Sequence, residues 1–384
     1  MLARMESLAT PATGMPRTRW PSIDVLRGLA VAGMILVNHP GDMNHVYDPL
    51  SHADWNGFSP ADLVFPLFIF VLGMSVWLSL GVSRSGVVPP RPAPWRKILR
   101  RTALLVLLGL ALNVVHGLPY FDLLGVRIPG ILQRIAVCYL ATAALVLLSS
   151  PAAQLGVALG LLVLYTLLLR YVPIAGQGVS DLDVPEATIS AHVDRFLFGT
   201  HLWKQTWDPE GVLSTLPAIA NSIAGALAAA WMTRAPSSEA RMRGLKAGAA
   251  AALLASACAA TVVPVNKNLW TASFALLTIG LSLLTLLVCM ALVERAGTTG
   301  IARPLLVLGS NPLAIYIGSE VIDQLLAVIP RAAPGGSIRD FLFGHLFASW
   351  APPQLASFAY AAVYLAIWIG VASHLHRRGV VVRI

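Results

Sequence analysis

A chain of 384 residues carries 57% hydrophobic and only 12% charged side chains, with a net charge of +9 and a mean hydropathy of +0.72. Soluble domains hold about 25% charged residues. No single aqueous core buries this much apolar surface, so lipid must solvate part of it. The apolar runs are long and unbroken rather than alternating segments of about ten residues, which excludes a barrel and leaves an all-α polytopic membrane protein. The positive balance then belongs to cytoplasmic loops, not to a nucleic-acid surface. Cys138, Cys258 and Cys289 all fall inside apolar runs and read as small packing residues, neither a disulfide frame nor a metal site.

Residues 1–20 are polar, with Arg4, Arg17 and Arg19, and read as a cytoplasmic tail. They hold no short apolar run ending in a cleavage site, so the first helix is expected to stay in the membrane. Residues 21–384 read as one transmembrane domain of about ten helices. The first span is expected over 23–40 with Ser22 as its cap, and the second over 59–82 with Ser59 as cap and Pro60 in the first turn. A basic stretch with Arg84, Arg91, Arg96, Lys97, Arg100 and Arg101 runs into the third span, 98–116. The fourth (129–149) and fifth (151–172) form a tight hairpin around Ser149, Ser150 and Pro151.

The longest loop, 173–210, is acidic and carries Phe196, Phe198, Trp203 and Trp207 as interfacial aromatics. Further spans follow over 210–232, 245–263, 269–293, 304–329 and 355–375. Residues 330–353 are rich in Pro and Gly with an amphipathic middle. Alternating these spans from a cytoplasmic N-terminus gathers most of the 27 Lys and Arg on the inner side. Only Arg127, Arg195, Lys204, Lys267, Arg331 and Arg339 are left outside. That bias predicts both termini in the cytoplasm and outer loops at 39–58, 173–210 and 330–353.

Charges inside spans are costly and must be paired. Asp24 and Arg27, three apart, are expected to pair on one helix face. Arg134 needs a partner, with Asp62, Asp122, Glu320 or Asp323 as candidates. Pro66 and Pro312 each remove a helix hydrogen bond and predict kinks in a hollow bundle.

The stretch from Asn38 to Gly73 concentrates the chemistry. Asn38 closes the first span, His52 sits in the polar loop, and Asp62 lies just inside the second span. His52 suits a general base, because imidazole titrates near neutral pH. Asn38 has an amide able to hydrogen-bond a developing oxyanion, and Asp62 a carboxylate able to orient the imidazole. Spacing alone does not separate His52 from His39 or His45. Trp55 reads as an interfacial anchor, and Asp48 and Asp54 as solvated acids.

These residues carry a resemblance. Ser22-Ile23-Asp24-Val25-Leu26-Arg27-Gly28, Val37-Asn38, His52-Ala53-Asp54-Trp55-Asn56-Gly57 and Asp62-Leu63-Val64-Phe65-Pro66 resemble motifs of the heparan-α-glucosaminide N-acetyltransferase family of membrane proteins and its bacterial relatives. Pro129-Gly130-Ile131-Leu132-Gln133-Arg134-Ile135, Asp208-Pro209-Glu210-Gly211, Asn266-Lys267-Asn268-Leu269-Trp270-Thr271 and Asn311-Pro312-Leu313 continue it in order.

The resemblance implies acetyl transfer from cytosolic acetyl-CoA, as co-substrate, to the amine of a glucosamine-type sugar across the membrane. It matches the family's catalytic His to His52, its partner Asn to Asn38 and an acid near the site to Asp62. The lysosomal member carries a lumenal domain and a further span ahead of the shared bundle. With residues 1–20 alone ahead of the first span here, a small sugar or cell-wall fragment is as fitting an acceptor as a long polysaccharide.

Arg27, Arg96, Lys97, Arg100, Arg101 and Arg134 are the candidate ligands for the donor's phosphates. The expected partners are an amino-sugar or glycan acceptor, membrane lipid and a second copy in a homodimer, with no nucleic acid and no metal. The expected place is a bacterial inner membrane. The competing reading is an amino-sugar or chitooligosaccharide transporter, since intramembrane charges also suit a translocation path.

Overall fold

The computed structural model describes residues 20–81, 93–120, 125–295, 299–330 and 336–382. Among them the chain is all-helical apart from isolated bridges. The helices are α1 (Pro21–Asn38), α2 (Val64–Val76), α3 (Trp95–His116), α4 (Ile131–Leu148), α5 (Pro151–Tyr171), α6 (Ile189–Phe198), α7 (Thr215–Arg234), α8 (Ser238–Ala260), α9 (Ala272–Met290), α10 (Thr299–Leu308), α11 (Pro312–Val328), α12 (Ile338–Phe343) and α13 (Pro353–Arg377). Among the described residues, eight helical segments are long and apolar enough to cross a membrane. Residues 302–308 of α10 together with α11 make a ninth, bent by 83°.

The remaining one of the ten expected spans, the seventh at 245–263, is α8. It forms as a 23-residue helix against α9, but it is alanine-rich with Arg241, Arg243 and Lys246 in its first half, and is not among those eight. The ninth span is broken rather than kinked: Gly309-Ser310-Asn311 interrupts it and Pro312 opens α11. Pro66 makes no kink of that kind. It lies in the first turn of α2, just after the 3₁₀ turn Pro60–Leu63, where its missing N–H costs little.

Ser59 precedes that 3₁₀ turn as expected, with Pro60 first in it. Ser22 is not the cap of α1: Trp20 holds that position, and the Ser22 hydroxyl, one residue inside the helix, donates to Glu294 Oε1 at 2.5 Å. The hairpin between α4 and α5 turns at Ser150, whose hydroxyl accepts from Ala153 N.

The most buried of the long helices is α7, packed against α2, α4, α5 and α9; α3, α5 and α13 keep most of their surface free for lipid. The close approaches use small residues, as membrane helices do without a hydrophobic drive between them. A Cβ on Gly73 would stand 1.7 Å from Ser222 O, and one on Gly225 would stand 1.9 Å from Phe70 O, so α2 and α7 touch backbone to backbone. Gly28 and Gly309 allow the same contact between α1 and the α10 end. Polar groups also join helices: Thr142 donates to Ser222 Oγ at 2.8 Å, and Asn221 Nδ2 donates to Thr278 Oγ1 at 3.0 Å.

Candidate active site

The loop after α1 is held in place from two sides. Gly57 N donates to Val265 O at 2.8 Å, and Asn266 Nδ2 donates to Asn56 Oδ1 at 3.0 Å. Gly57 takes φ 120°, a conformation open to glycine and strained for other residues. Asn56 Nδ2 also donates to Asp183 Oδ1 at 2.7 Å, and Trp55 Nε1 donates to Leu182 O at 2.8 Å. Trp55, expected to be an interfacial anchor, packs edge-on against Trp207 and ties this loop to the long acidic one. Asp48 and Asp54 are exposed, as expected.

This bracing sets His52 beside Asp62. His52 Nδ1 lies 2.9 Å from Asp62 Oδ1. Asp62 is wholly buried, and its second oxygen accepts from Ser59 N at 2.9 Å and Ala53 N at 3.3 Å. Lys267 arrives from the α8–α9 turn, its Nζ 2.9 Å from His52 Nδ1 and 3.5 Å from Asp62 Oδ1. Burial pulls the Lys267 ammonium below its ordinary value, against the opposing pull of Asp62 and Glu210. The turn that carries it is itself shaped: Trp270 is buried at φ 51°, edge-on to Phe65 and Phe274.

One ring nitrogen cannot donate to Asp62 and accept from Lys267 at once. With the Nδ1 hydrogen given to Asp62, Nε2 keeps its lone pair. The His52 side chain stays 42% exposed on its loop side, while the residue lines a cavity of about 90 Å³. Asn38, Glu210 and Lys267 are the other polar walls; Met34, Val64, Phe65 and Ile131 are among the apolar ones. That volume holds a few waters, against roughly 300–1,000 Å³ for a ligand pocket.

The three histidines now separate. His45 pairs with Asp42 on the surface. His39 is buried, its Nδ1 3.1 Å from Ile35 O and its ring 5.1 Å from that of Tyr364. His52 is the histidine of the three on the cavity wall, which Asn38 also lines. Asn38 Nδ2 donates to Glu320 Oε1 at 3.0 Å.

The basic candidates scatter. Arg27 donates to Asp24 at 3.0 Å, the expected pair, and also to Gly309 O and Ser75 Oγ, about 16 Å down the helix from Asn38. Arg134 is buried: Nη2 donates to Pro209 O at 2.7 Å and Ser214 Oγ at 2.5 Å, and the guanidinium lies over the Trp270 ring. Its expected acidic partners go elsewhere: Asp62 to His52 and Lys267, Glu320 to Asn38, and Asp323 to Arg339 at 3.4 Å. Asp122, Arg84, Arg91 and Arg331 lie outside the described residues, as does the tail with Arg4, Arg17 and Arg19.

Arg96, Lys97 and Arg100 are exposed at the start of α3, and Arg101 lies over the Tyr139 ring at 4.6 Å. They stand about 22–30 Å along α3 from His116, whose Nε2 faces Glu320 Oε2 at 3.4 Å.

Residues 19–263 match the family described as "Heparan-alpha-glucosaminide N-acetyltransferase, catalytic". The chain belongs to this family. It is 28% identical to the human heparan-alpha-glucosaminide N-acetyltransferase over 421 residues, covering 94% of this chain and 59% of that protein. The mouse heparan-alpha-glucosaminide N-acetyltransferase is 28% identical over 388 residues, covering 85% of this chain and 57% of its own. The chain thus spans less than two thirds of the length of these curated relatives.

The stretch matched to the acetyltransferase family holds Asn38, His52, Asp62 and Glu210, and ends before Lys267 and Glu320. Sequence reasoning counted Lys267 as an outer-loop charge and Glu320 as a partner for Arg134 or the lining of a polar cavity, and gave neither a role beside His52 or Asn38. The signal for Lys267 was its place in Asn266-Lys267-Asn268, a stretch already singled out. Glu210 was likewise inside a quoted motif. It is gripped with Asp208 by Arg127, whose Nε donates to Asp208 Oδ2 at 2.8 Å. Behind this pair Asp194 is fully buried. It accepts from Val212 N at 2.9 Å, and burial pushes its carboxyl up to about 6.

Proposed function

We propose that this protein is an integral membrane N-acetyltransferase. It moves the acetyl group of acetyl-CoA to the amine of a glucosamine-type sugar, with His52 as general base. The observation that carries the reading is the His52–Asp62 hydrogen bond of 2.9 Å at the wall of a cavity shared with Asn38. Family membership supports acyl transfer, and the names of the human and mouse relatives support a glucosaminide acceptor.

In this reading Asp62 holds the Nδ1 hydrogen, and His52 Nε2 takes a proton from the amine as its nitrogen attacks the thioester carbonyl. The Asn38 amide donates to the oxygen that gains negative charge. Collapse breaks the C–S bond, and the imidazolium returns its proton to the departing thiolate. Arg96, Lys97, Arg100 and Arg101 are the cations for the donor's phosphates. The outermost, Arg96, lies about 30 Å along α3 from His116, close to a hydrocarbon thickness of about 30 Å. The nucleotide would thus sit at one face and the acceptor at the other, with both termini and the basic end of α3 cytoplasmic, in a bacterial inner membrane. Arg27 and Arg134 are engaged in helix-to-helix contacts and play no part in this scheme.

The test is purified protein in nanodiscs with labelled acetyl-CoA and a panel of amino sugars. Label is expected on the sugar nitrogen for the wild type and on none for His52→Ala. Turnover by His52→Ala near the wild-type rate would overturn the assignment. The broken α10–α11 span favours a second reading, amino-sugar transport, because broken helices build substrate sites in transporters. Sugar uptake into proteoliposomes without any acyl donor supports transport; acetylation without uptake supports the enzyme.

A further inference from the structure

Glu320 is an acidic residue in the apolar α11, two turns beyond the break at Pro312. Its side chain is 12% exposed. Oε1 accepts from Asn38 Nδ2 at 3.0 Å, and Oε2 faces His116 Nε2 at 3.4 Å. His39 Nε2 stands 3.9 Å from Oε1. The carboxylate is thus gripped from α1, from the end of α3 and from the residue that follows α1.

A carboxylate only accepts. The Asn38 amide must therefore turn its NH₂ toward α11, because the flipped amide would set two oxygens against each other at 3.0 Å. Glu320 is not a wall of the cavity; Asn38 is. A buried charge of this kind is costly unless it is fully engaged, and its engagement here fixes the one amide side chain lining the cavity.

We propose that Glu320 is a positioning residue for Asn38: it locks the amide in a single orientation and so sets which of its atoms a bound thioester meets. This rests on Asn38 serving as donor to the developing oxyanion. A residue that works through another leaves a distinct signature. Its removal lowers the rate of the bound complex, leaves substrate binding alone, and has no further effect once its client is gone.

The experiment compares Glu320→Ala, Glu320→Gln, Asn38→Ala and the Asn38→Ala/Glu320→Ala double variant in nanodiscs, with the structure of the Glu320→Ala protein determined alongside. Glu320→Ala should lower kcat by about 30-fold or more with KM within about threefold, and the double variant should match Asn38→Ala within about twofold. Glu320→Gln keeps an acceptor oxygen for Asn38 and should retain kcat within about fivefold. In the Glu320→Ala structure the Asn38 amide should leave its place on the cavity wall.

A full Glu320→Ala penalty in the Asn38→Ala background would overturn the proposal, and so would an unmoved Asn38. If the wild type acetylates no sugar, the functional reading fails, and the position of Asn38 in Glu320→Ala still decides this inference. If Glu320→Ala does not fold, Glu320→Gln decides: a loss equal to that of Asn38→Ala overturns it, and retained kcat supports it.

Discussion

Asp62→Asn is the substitution the site tolerates least for its size. The carboxylate divides its work between its oxygens: one faces His52 Nδ1, and the other accepts from Ser59 N and Ala53 N. Asparagine has one oxygen. If that oxygen stays with the two backbone donors, the new NH₂ faces His52 Nδ1. The ring must then accept there and carry its hydrogen on Nε2, where a base needs a lone pair. If the amide flips instead, its NH₂ meets two N–H groups in a wholly buried place.

The first arrangement is the cheaper one, and it disables the base. Loss of a positioned base lowers rate by about 10²–10⁴-fold; a thousandfold is about 4 kcal/mol of barrier. Lys267 also loses its counter-charge, and breaking a buried pair costs about 3–5 kcal/mol, less here because the lysine is 19% exposed. The assay is acetylation of the best amino sugar in nanodiscs, with thermal unfolding measured on the same samples. The expected result is a turnover loss of about a thousandfold and a lower Tm. Turnover within threefold of wild type would refute the assignment of Asp62 as the group that holds the imidazole.

Asp194 yields a pH dependence. Burial raises its folded value to about 6, above the unfolded value of about 3.9. Its contribution to stability is therefore complete below about pH 4 and is lost as pH rises through 6; at neutral pH the ionised form costs about 3 kcal/mol. Asp194→Asn keeps an oxygen for Val212 N, so its Tm advantage over wild type should grow from pH 5 to pH 8; a gap that is flat with pH would contradict this. Gly73→Ala forces a Cβ to within 1.7 Å of Ser222 O, so α2 and α7 must part, and the protein should elute as aggregate, whereas Gly156→Ala, with open space around it, should behave as wild type on the same column. A Gly73→Ala protein with wild-type Tm would show that this contact does not hold the bundle.

The spans were legible because each is a run of apolar residues bounded by Pro, Ser or charge, and most ends fell within a few residues of those observed. The sixth started late because Asp208-Pro209-Glu210-Gly211 is consumed by contacts to Arg127 and Arg134 rather than by helix. The seventh formed as a helix but is less apolar than the others, being built of alanine with Arg241, Arg243 and Lys246 in its first half. The break at Gly309-Ser310-Asn311 was announced by Pro312, though its angle depends on α10 docking against α1 through Gly28 and Gly309.

In the site, Asn38, His52 and Asp62 lie within one stretch and were visible together. Lys267 and Glu320 were not, since nothing local says that residues more than 200 positions away come to the same imidazole and amide. Arg134 misled for the same reason: its hydrogen-bond acceptors are backbone carbonyls and a serine that only tertiary structure brings near.

The lysine that answers Asp62 lies about two hundred residues further along the chain. A ribosome therefore delivers the carboxylate at the mouth of the second helix long before its cation has been made. During synthesis the first hairpin has His52 and the backbone amides of Ser59 and Ala53 to shelter that acid, and arrival of the α8–α9 turn adds the cation. Assembly of the bundle and completion of the proposed site thus go together, and a chain stalled before residue 267 carries its histidine, its asparagine and its acid without the cation that faces them.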